Sequence, residues 1–346
     1  MASRLGLVSA RHVLGRHDPA DEAVACRLKA VILLAGALRP GLLQRGAGRV
    51  VLALPVEPGR AVLDVWREQV SGLATHLGMN DLPMRVLLDH GTAAPGRAAT
   101  ASEAAGPARV SIERDPAPLR GTGGLLRDIA GAYDDNDRVL VVDAGQLLHE
   151  PLWLLFHVLS RFPGDMRLLA RRDGAPAGVM LLRCGCLRDL PDRGFVDFKE
   201  QALPRLATRH EVRVARWRRE AGVGTSVRTL HGYLDAVRRW HSQPVLVAGV
   251  RSGADMGMSA ADGRGENGYP VFALIEPGSD VARSAVLHDA VVLAGGCVEA
   301  GATVVRCVVG PGGCVRSGQT RVNALVSPRR RLRWAPRVGS DDDRDG

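Results

Sequence analysis

Lysine is almost missing from this chain of 346 residues: Lys29 and Lys199 are the only two among 46 basic residues, and the rest are arginine. The net charge of +9 is therefore carried by guanidinium groups spread along the chain, dense only at Arg329–Arg333. That spread reads as a solvated basic surface, and nucleic acid is not an expected partner. Aromatic residues make up 4%, too few for a base-stacking platform. No apolar run approaches the ~18–20 residues of a membrane helix, and no basic segment followed by a short apolar core opens the sequence as in a signal peptide. The expectation is a protein with no membrane partner and a cytoplasmic location. The six cysteines, at 26, 184, 186, 297, 307 and 314, are then expected as reduced core residues. Cys184-Gly-Cys186 has one intervening residue where a zinc knuckle or redox pair has two, and no metal is assigned to the cysteines.

What is present is ordinary globular material, 46% hydrophobic and 24% charged. A length beyond ~250–300 residues favours more than one domain. The run from Leu28 to Ala35 reads as a buried strand that ends in the loop chemistry of Gly36-Ala-Leu-Arg-Pro40. Helical spacing follows over Ala61–Leu77, a strand over Met84–Leu88, and an Ala/Gly/Pro-rich loop over Thr92–Pro107. Gly121-Thr-Gly-Gly124 then reads as a loop ahead of a helix at Leu125–Tyr133, and Arg138–Val142 as a strand ending in Asp143. Later elements are a strand at Val179–Arg183, a helix around Phe198–Thr208, a strand at Glu211–Trp217 and a helix at Leu230–Trp240. The alternation predicts a Rossmann-like α/β domain with a mostly parallel sheet.

After Trp240 the pattern changes. Short strand-like runs flank the Gly-rich segment Gly253–Gly268, and Val286, Val292, Val298 and Val304 then recur every six residues with Gly and Ala between them. One aliphatic per six residues and small corner residues predict a short parallel β-helix with those valines in one column. The expected division is a poorly ordered lead-in over 1–25, an α/β domain over 26–240, a linker with short strands over 241–277, a hexapeptide-repeat β-helix over 278–327 and a disordered charged tail over 328–346.

In this order the segments resemble the sugar-1-phosphate nucleotidyltransferases, particularly the mannose-1-phosphate guanylyltransferase and glucose-1-phosphate nucleotidyltransferase group. The resemblance covers about residues 28–327. It is carried by Lys29-Ala-Val-Ile-Leu-Leu-Ala-Gly36 with Leu38-Arg39-Pro40, by Leu54-Pro55-Val56, and by Leu119-Arg-Gly-Thr-Gly-Gly-Leu125. Gly178-Val179, Phe195-Val-Asp-Phe-Lys199 through Leu203-Pro204, and Tyr233-Leu-Asp-Ala236 continue it, and the hexapeptide region is similar to the left-handed β-helix many members carry. It implies a GT-A-like nucleotidyltransferase domain that joins a nucleoside triphosphate to a sugar 1-phosphate, with release of pyrophosphate. Catalysis of that kind is positioning and charge neutralisation, with Mg²⁺ the implied cofactor of a working enzyme and none otherwise. The implied nucleotide-binding residues are Ala35, Gly36, Arg39, Gly121, Thr122 and Gly123, at the carboxyl edge of the sheet.

The departures from the family fall on the chemistry. Several residues of the phosphate loop are absent between Gly36 and Leu38. The family's lysine falls near Val51, with Arg49 the nearest basic residue. The two metal carboxylate positions read as Gln146 and Ser226, and Arg171-Arg172-Asp173 stands where the guanylyltransferases carry Glu-Lys-Pro. Asp143 can hold a metal from a shifted position or can cap the turn after its strand. Three functions stay open: a working nucleotidyltransferase with a remodelled site; an inactive nucleotide- or sugar-phosphate-binding regulatory subunit, partnered by an active paralogue or by itself through the β-helix; and a β-helix acyltransferase, for which His288 is the one histidine in the repeats.

Overall fold

A computed structural model of the chain describes residues 6–9, 24, 26–36, 40–88, 90, 106–115, 120–219, 222–242 and 272–328. Arg39, residues 92–105, the segment Gly253–Gly268, the cluster Arg329–Arg333 and the tail lie outside the described residues.

Eight strands form the central sheet: β1 Gly6–Ser9, β2 Leu28–Leu34, β3 Leu82–Leu88, β4 Ala108–Arg114, β5 Arg138–Asp143, β6 Met166–Ala170, β7 Pro176–Arg183 and β8 Val212–Arg216. Their spatial order is β1-β8-β6-β7-β5-β2-β3-β4. Every neighbouring pair is parallel except the two that involve β7. β7 runs the other way because the short turn 171–175 folds it straight back on β6. β2 is the model case of a parallel strand read as a continuous apolar run: Ala30, Val31, Ile32 and Leu33 are all fully buried, so both faces must be covered. Helices α1 Val62–His76, α3 Leu152–Ser160 and α4 Leu230–Ser242 contribute to the core cluster on one face, and α2 Gly121–Ala130 to that on the other. Two expectations change here. Gly6–Ser9, expected within an unstructured lead-in, pairs with the open edge of β8. Gly121–Gly124, expected as a loop, forms the first turn of α2.

The C-terminal region winds over three stacked sheets of two- and three-residue strands, all parallel. Each coil takes 17 residues, as the register partners Cys297 and Cys314 show. The corners explain the composition. Gly278, Gly295 and Gly312 repeat at one corner and Gly301 and Gly318 at a second, all with φ between +69° and +86°. Asp289, Arg306 and Asn323 take the third at φ +50° to +52°. The valine column expected from the six-residue period does not form, because a coil has three sides. Val292, Val298 and Val304 are buried, each on a different sheet, and each stacks on the residue 17 positions away. Val286 is 56% exposed, and its neighbour Leu287, the register partner of Val304, packs on the coil interior instead.

The coils are packed onto the sheet region rather than hung from it. Val291, Leu293 and Val308 belong to the larger sheet core. A Cβ on Gly310 would lie 2.1 Å from the Gly46 carbonyl oxygen, and one on Gly46 would lie 2.3 Å from Leu325 Cδ2. Arg238 pairs with the buried carboxylate of Asp289, and Arg49 Nη1 donates to Glu276 Oε1 at 2.8 Å.

Candidate functional site

The carboxyl ends of the parallel strands bring Ala35, Gly36 and Asp143 to one edge of the sheet, with Leu34 and Asp143 as register partners. This is the edge at which doubly wound sheets bind ligands. α2 follows β4 and leads back toward the start of β5, so Gly121, Thr122 and Gly123 lie at the same edge. Their hydrogen bonds are already committed, however. The amides of Ala35 and Gly36 both donate to the carbonyl of Leu87, at 3.0 and 3.1 Å. Gly123 N donates to Val196 O at 2.9 Å, and Thr122 Oγ1 accepts from Phe198 N at 3.1 Å. A Cβ on Gly121, where φ is +76°, would sit 2.4 Å from Val196 O. These glycines let the segment 195–198 approach the helix start closely, which is a packing reason for the Gly-Thr-Gly-Gly sequence.

The two positions expected to be carboxylates do meet. Gln146 and Ser226 are register partners in a small antiparallel pair of strands, Gln146–Leu148 and Gly224–Ser226. Two residues beyond Ser226 is Arg228, whose Nη2 donates to Asp143 Oδ1 at 2.7 Å. The same Oδ1 accepts from Gly145 N at 2.9 Å. A Cβ on Gly145 would lie 2.3 Å from Arg228 Nε, so glycine there makes room for the guanidinium. Gln146 Nε2 donates to Ala177 O at 3.1 Å, and a Cβ on Gly178 would meet both Asp143 Cβ and Gln146 Nε2 at 2.9 Å. The Gly residues at 145 and 178 thus close a tight cluster around one carboxylate and one arginine.

Mg²⁺ does not fit this donor set. It is a hard cation that asks for charged oxygens, and here one carboxylate is capped by an amide and paired with a fixed cation, while its neighbours are an amide and a hydroxyl. No group of three metal-ligating side chains occurs around Asp143 among the described residues. Asp143 is both the turn cap weighed from the sequence and an ion-pair partner that the sequence did not point to. Arg228 lies two residues beyond Ser226 in no motif, so no sequence signal points to it.

Other expected residues find different partners. Arg49 is held by Glu276 in the coils, and Val51 is buried. The Tyr233 hydroxyl donates to Pro55 O at 2.6 Å, and burial pushes its pKa well up, so it anchors α4 rather than facing a ligand. Arg171-Arg172-Asp173 forms the turn between β6 and β7, and with Arg219 and Gly222 it lines a cavity of about 420 Å³. Arg219 is oriented by Glu150, at 2.9 and 3.0 Å to the two carboxylate oxygens, and by the Trp217 ring, 5.5 Å to its centroid.

No protein-family model matches the chain, and no curated protein does. Solved structures do. Similar ones are HddC from Yersinia pseudotuberculosis, at TM-score 0.47 and 13% identity over 61% of this chain and 99% of that one, and the same protein complexed with GMP-PN, at 0.47 and 14% over the same shares. A third is a putative glucose-1-phosphate thymidylyltransferase from Bacillus anthracis in complex with a sucrose, at 0.46 and 14% over 63% of this chain and 97% of that one. Likeness at this level speaks to neither activity nor substrate.

Proposed function

We propose that the chain is a sugar-1-phosphate nucleotidyltransferase-fold protein whose edge site binds a nucleoside triphosphate or a sugar 1-phosphate through arginine in place of a metal ion, without turnover. The observation that carries the reading is the Asp143–Arg228 pair, set beside Gln146 and Ser226 where the resemblance calls for metal carboxylates. A guanidinium is permanently charged and presents a planar fork that matches phosphate oxygens. It supplies a fixed positive charge, but it cannot bridge two phosphates and polarise them as a divalent ion does. The exposed Arg171 and Arg172 at the same edge extend the anion-attracting surface. Binding without turnover suits a regulatory subunit of an active paralogue, or a self-associating protein that uses the C-terminal coils, which we read as a left-handed parallel β-helix. A cytoplasmic location, where nucleoside triphosphates are abundant, agrees with that ligand.

The test is equilibrium binding of a nucleoside triphosphate and of a sugar 1-phosphate to the native chain and to Arg228→Met, in EDTA. The native chain is expected to bind and Arg228→Met to bind about tenfold or more weakly, the loss of one charge-assisted contact. Unchanged binding by Arg228→Met, or Mg²⁺-dependent pyrophosphate release by the native chain, overturns the reading.

A further inference from the structure

Two cysteines that are far apart as sequence neighbours go, Cys297 and Cys314, are one coil apart in the structure. They are register partners on adjacent parallel strands, next to the inward Val298 and Val315, and their Sγ atoms lie 2.9 Å apart. Glu299 Oε1 is 3.6 Å from Cys314 Sγ. The other oxygen, Oε2, accepts from Ser317 N at 2.8 Å, which fixes the carboxylate with one oxygen turned toward the sulfurs. The three ligand atoms all lie within 4.8 Å of one another. Arg316 reaches Glu299 Oε1 only at 3.8 Å from a largely exposed position.

The geometry points to a binding site for a thiophilic divalent cation of the Zn²⁺ class, held by Cys297, Cys314 and Glu299 with water in the fourth position. Adjacent strands stand ~4.7–4.9 Å apart, and in-register side chains leave them in parallel. Both thiols are free, and the 2.9 Å between their sulfurs is longer than the ~2.05 Å of a disulfide bond. Two thiolates on one tetrahedral ion with ~2.3 Å bonds are a little under 4 Å apart, which the ladder spacing allows by side-chain rotation alone. Three protein ligands and an open position form a recognised zinc arrangement. The second candidate cluster, Asp165, Cys186 and His210, lacks this freedom. There the Asp165 carboxylate accepts from Arg183 Nε at 2.7 Å and from Glu211 N at 3.2 Å, and Cys186 is buried.

The experiment is a titration of the reduced full-length chain with Co²⁺, reading the sulfur-to-cobalt charge-transfer absorption, followed by displacement with Zn²⁺. One equivalent is expected. Cys297→Ser and Cys314→Ser should each lower affinity about a hundredfold and weaken the band, and Glu299→Gln should lower affinity about tenfold while keeping the band. Cys26→Ser, an exposed thiol elsewhere, should change nothing. Circular dichroism of each near-isosteric variant separates a lost ligand from a lost fold. The proposal is overturned if the reduced native chain shows no band, if the band survives in the Cys297→Ser, Cys314→Ser double variant, or if the two thiols are taken up in a disulfide on purification and bind no metal once reduced.

Discussion

Glycine does different work in the two halves of the molecule. At the sheet edge it permits contact: Gly121, Gly145 and Gly178 each sit where a Cβ would come within 3 Å of another residue. In the coils it more often permits a turn: Gly318, at φ +69°, has nothing within 4 Å of its would-be Cβ. The charged groups divide the same way. At the sheet edge carboxylates and guanidinium groups are matched to each other, as Asp143 is to Arg228. On the outside of the coils the thiols of Cys297 and Cys314 face one another and Glu299, which Arg316 reaches only at 3.8 Å from a largely exposed position. The sheet edge supplies its own cation, whereas the coil surface is arranged to receive one.

Substitutions should separate the halves by size of effect. Gly121→Ala combines left-handed backbone strain with a backbone clash and should cost about 3 kcal/mol or more, read as a shift in the urea midpoint at constant slope. Arg238→Met leaves the carboxylate of Asp289, 3% exposed, with only the His288 ring nitrogen, 3.3 Å away, beside it at the joint between the halves, and should cost about 2–3 kcal/mol. Gly318→Ala adds strain alone and should cost about 1 kcal/mol in the same assay. If Gly318→Ala costs as much as Gly121→Ala, the distinction between contact and turn fails.

The smallest stability effect is pH-dependent. His241 Nε2 donates to Val56 O, 3.0 Å away, and the ring stacks on Phe272 at the entry to the coils. Burial pushes its imidazole below the usual 6.5 despite the nearby Glu57. The unfolded chain therefore takes up a proton first as pH falls. Stability should be full above about pH 6.5 and should decline below it, by less than about 1.4 kcal/mol per pH unit, until the folded histidine also titrates. Denaturation midpoints from pH 8 to 5 should show that decline, and His241→Gln should flatten it.

Much of this architecture could be read from residue patterns. β2, β3, β5, α1 and α4 follow from apolar runs and helical spacing. The coils follow from small corner residues and recurring valines. Met166–Ala170 and α3 leave no such signal, since α3, LWLLFHVLS, is apolar on nearly every side and carries no clear period. The phase of the coils was also hidden. The inward positions run in steps of six, six and five, and the five-residue side turns on Asp289, Arg306 and Asn323, which are not glycines. The site was the least legible part. Gly121 and Gly123 have the spelling of a phosphate loop but serve a contact with Val196, and the arginine that pairs with Asp143 is 85 residues away. Ion pairs between distant segments leave no local period, and neither do the two cysteines that meet only because a coil is 17 residues long.

Asp143→Asn distinguishes the two roles open to that carboxylate. As a metal ligand its loss weakens nucleotide binding. As the partner of Arg228 its loss frees a cation, and phosphate affinity should rise several-fold in EDTA.

The most direct measurement is isothermal titration of a nucleoside triphosphate into the native chain, once in Mg²⁺ and once in EDTA. With Arg228 in the metal's place, the two affinities should agree within about threefold, under 1 kcal/mol. Binding that needs Mg²⁺, strengthened by more than about tenfold on its addition, would contradict the account.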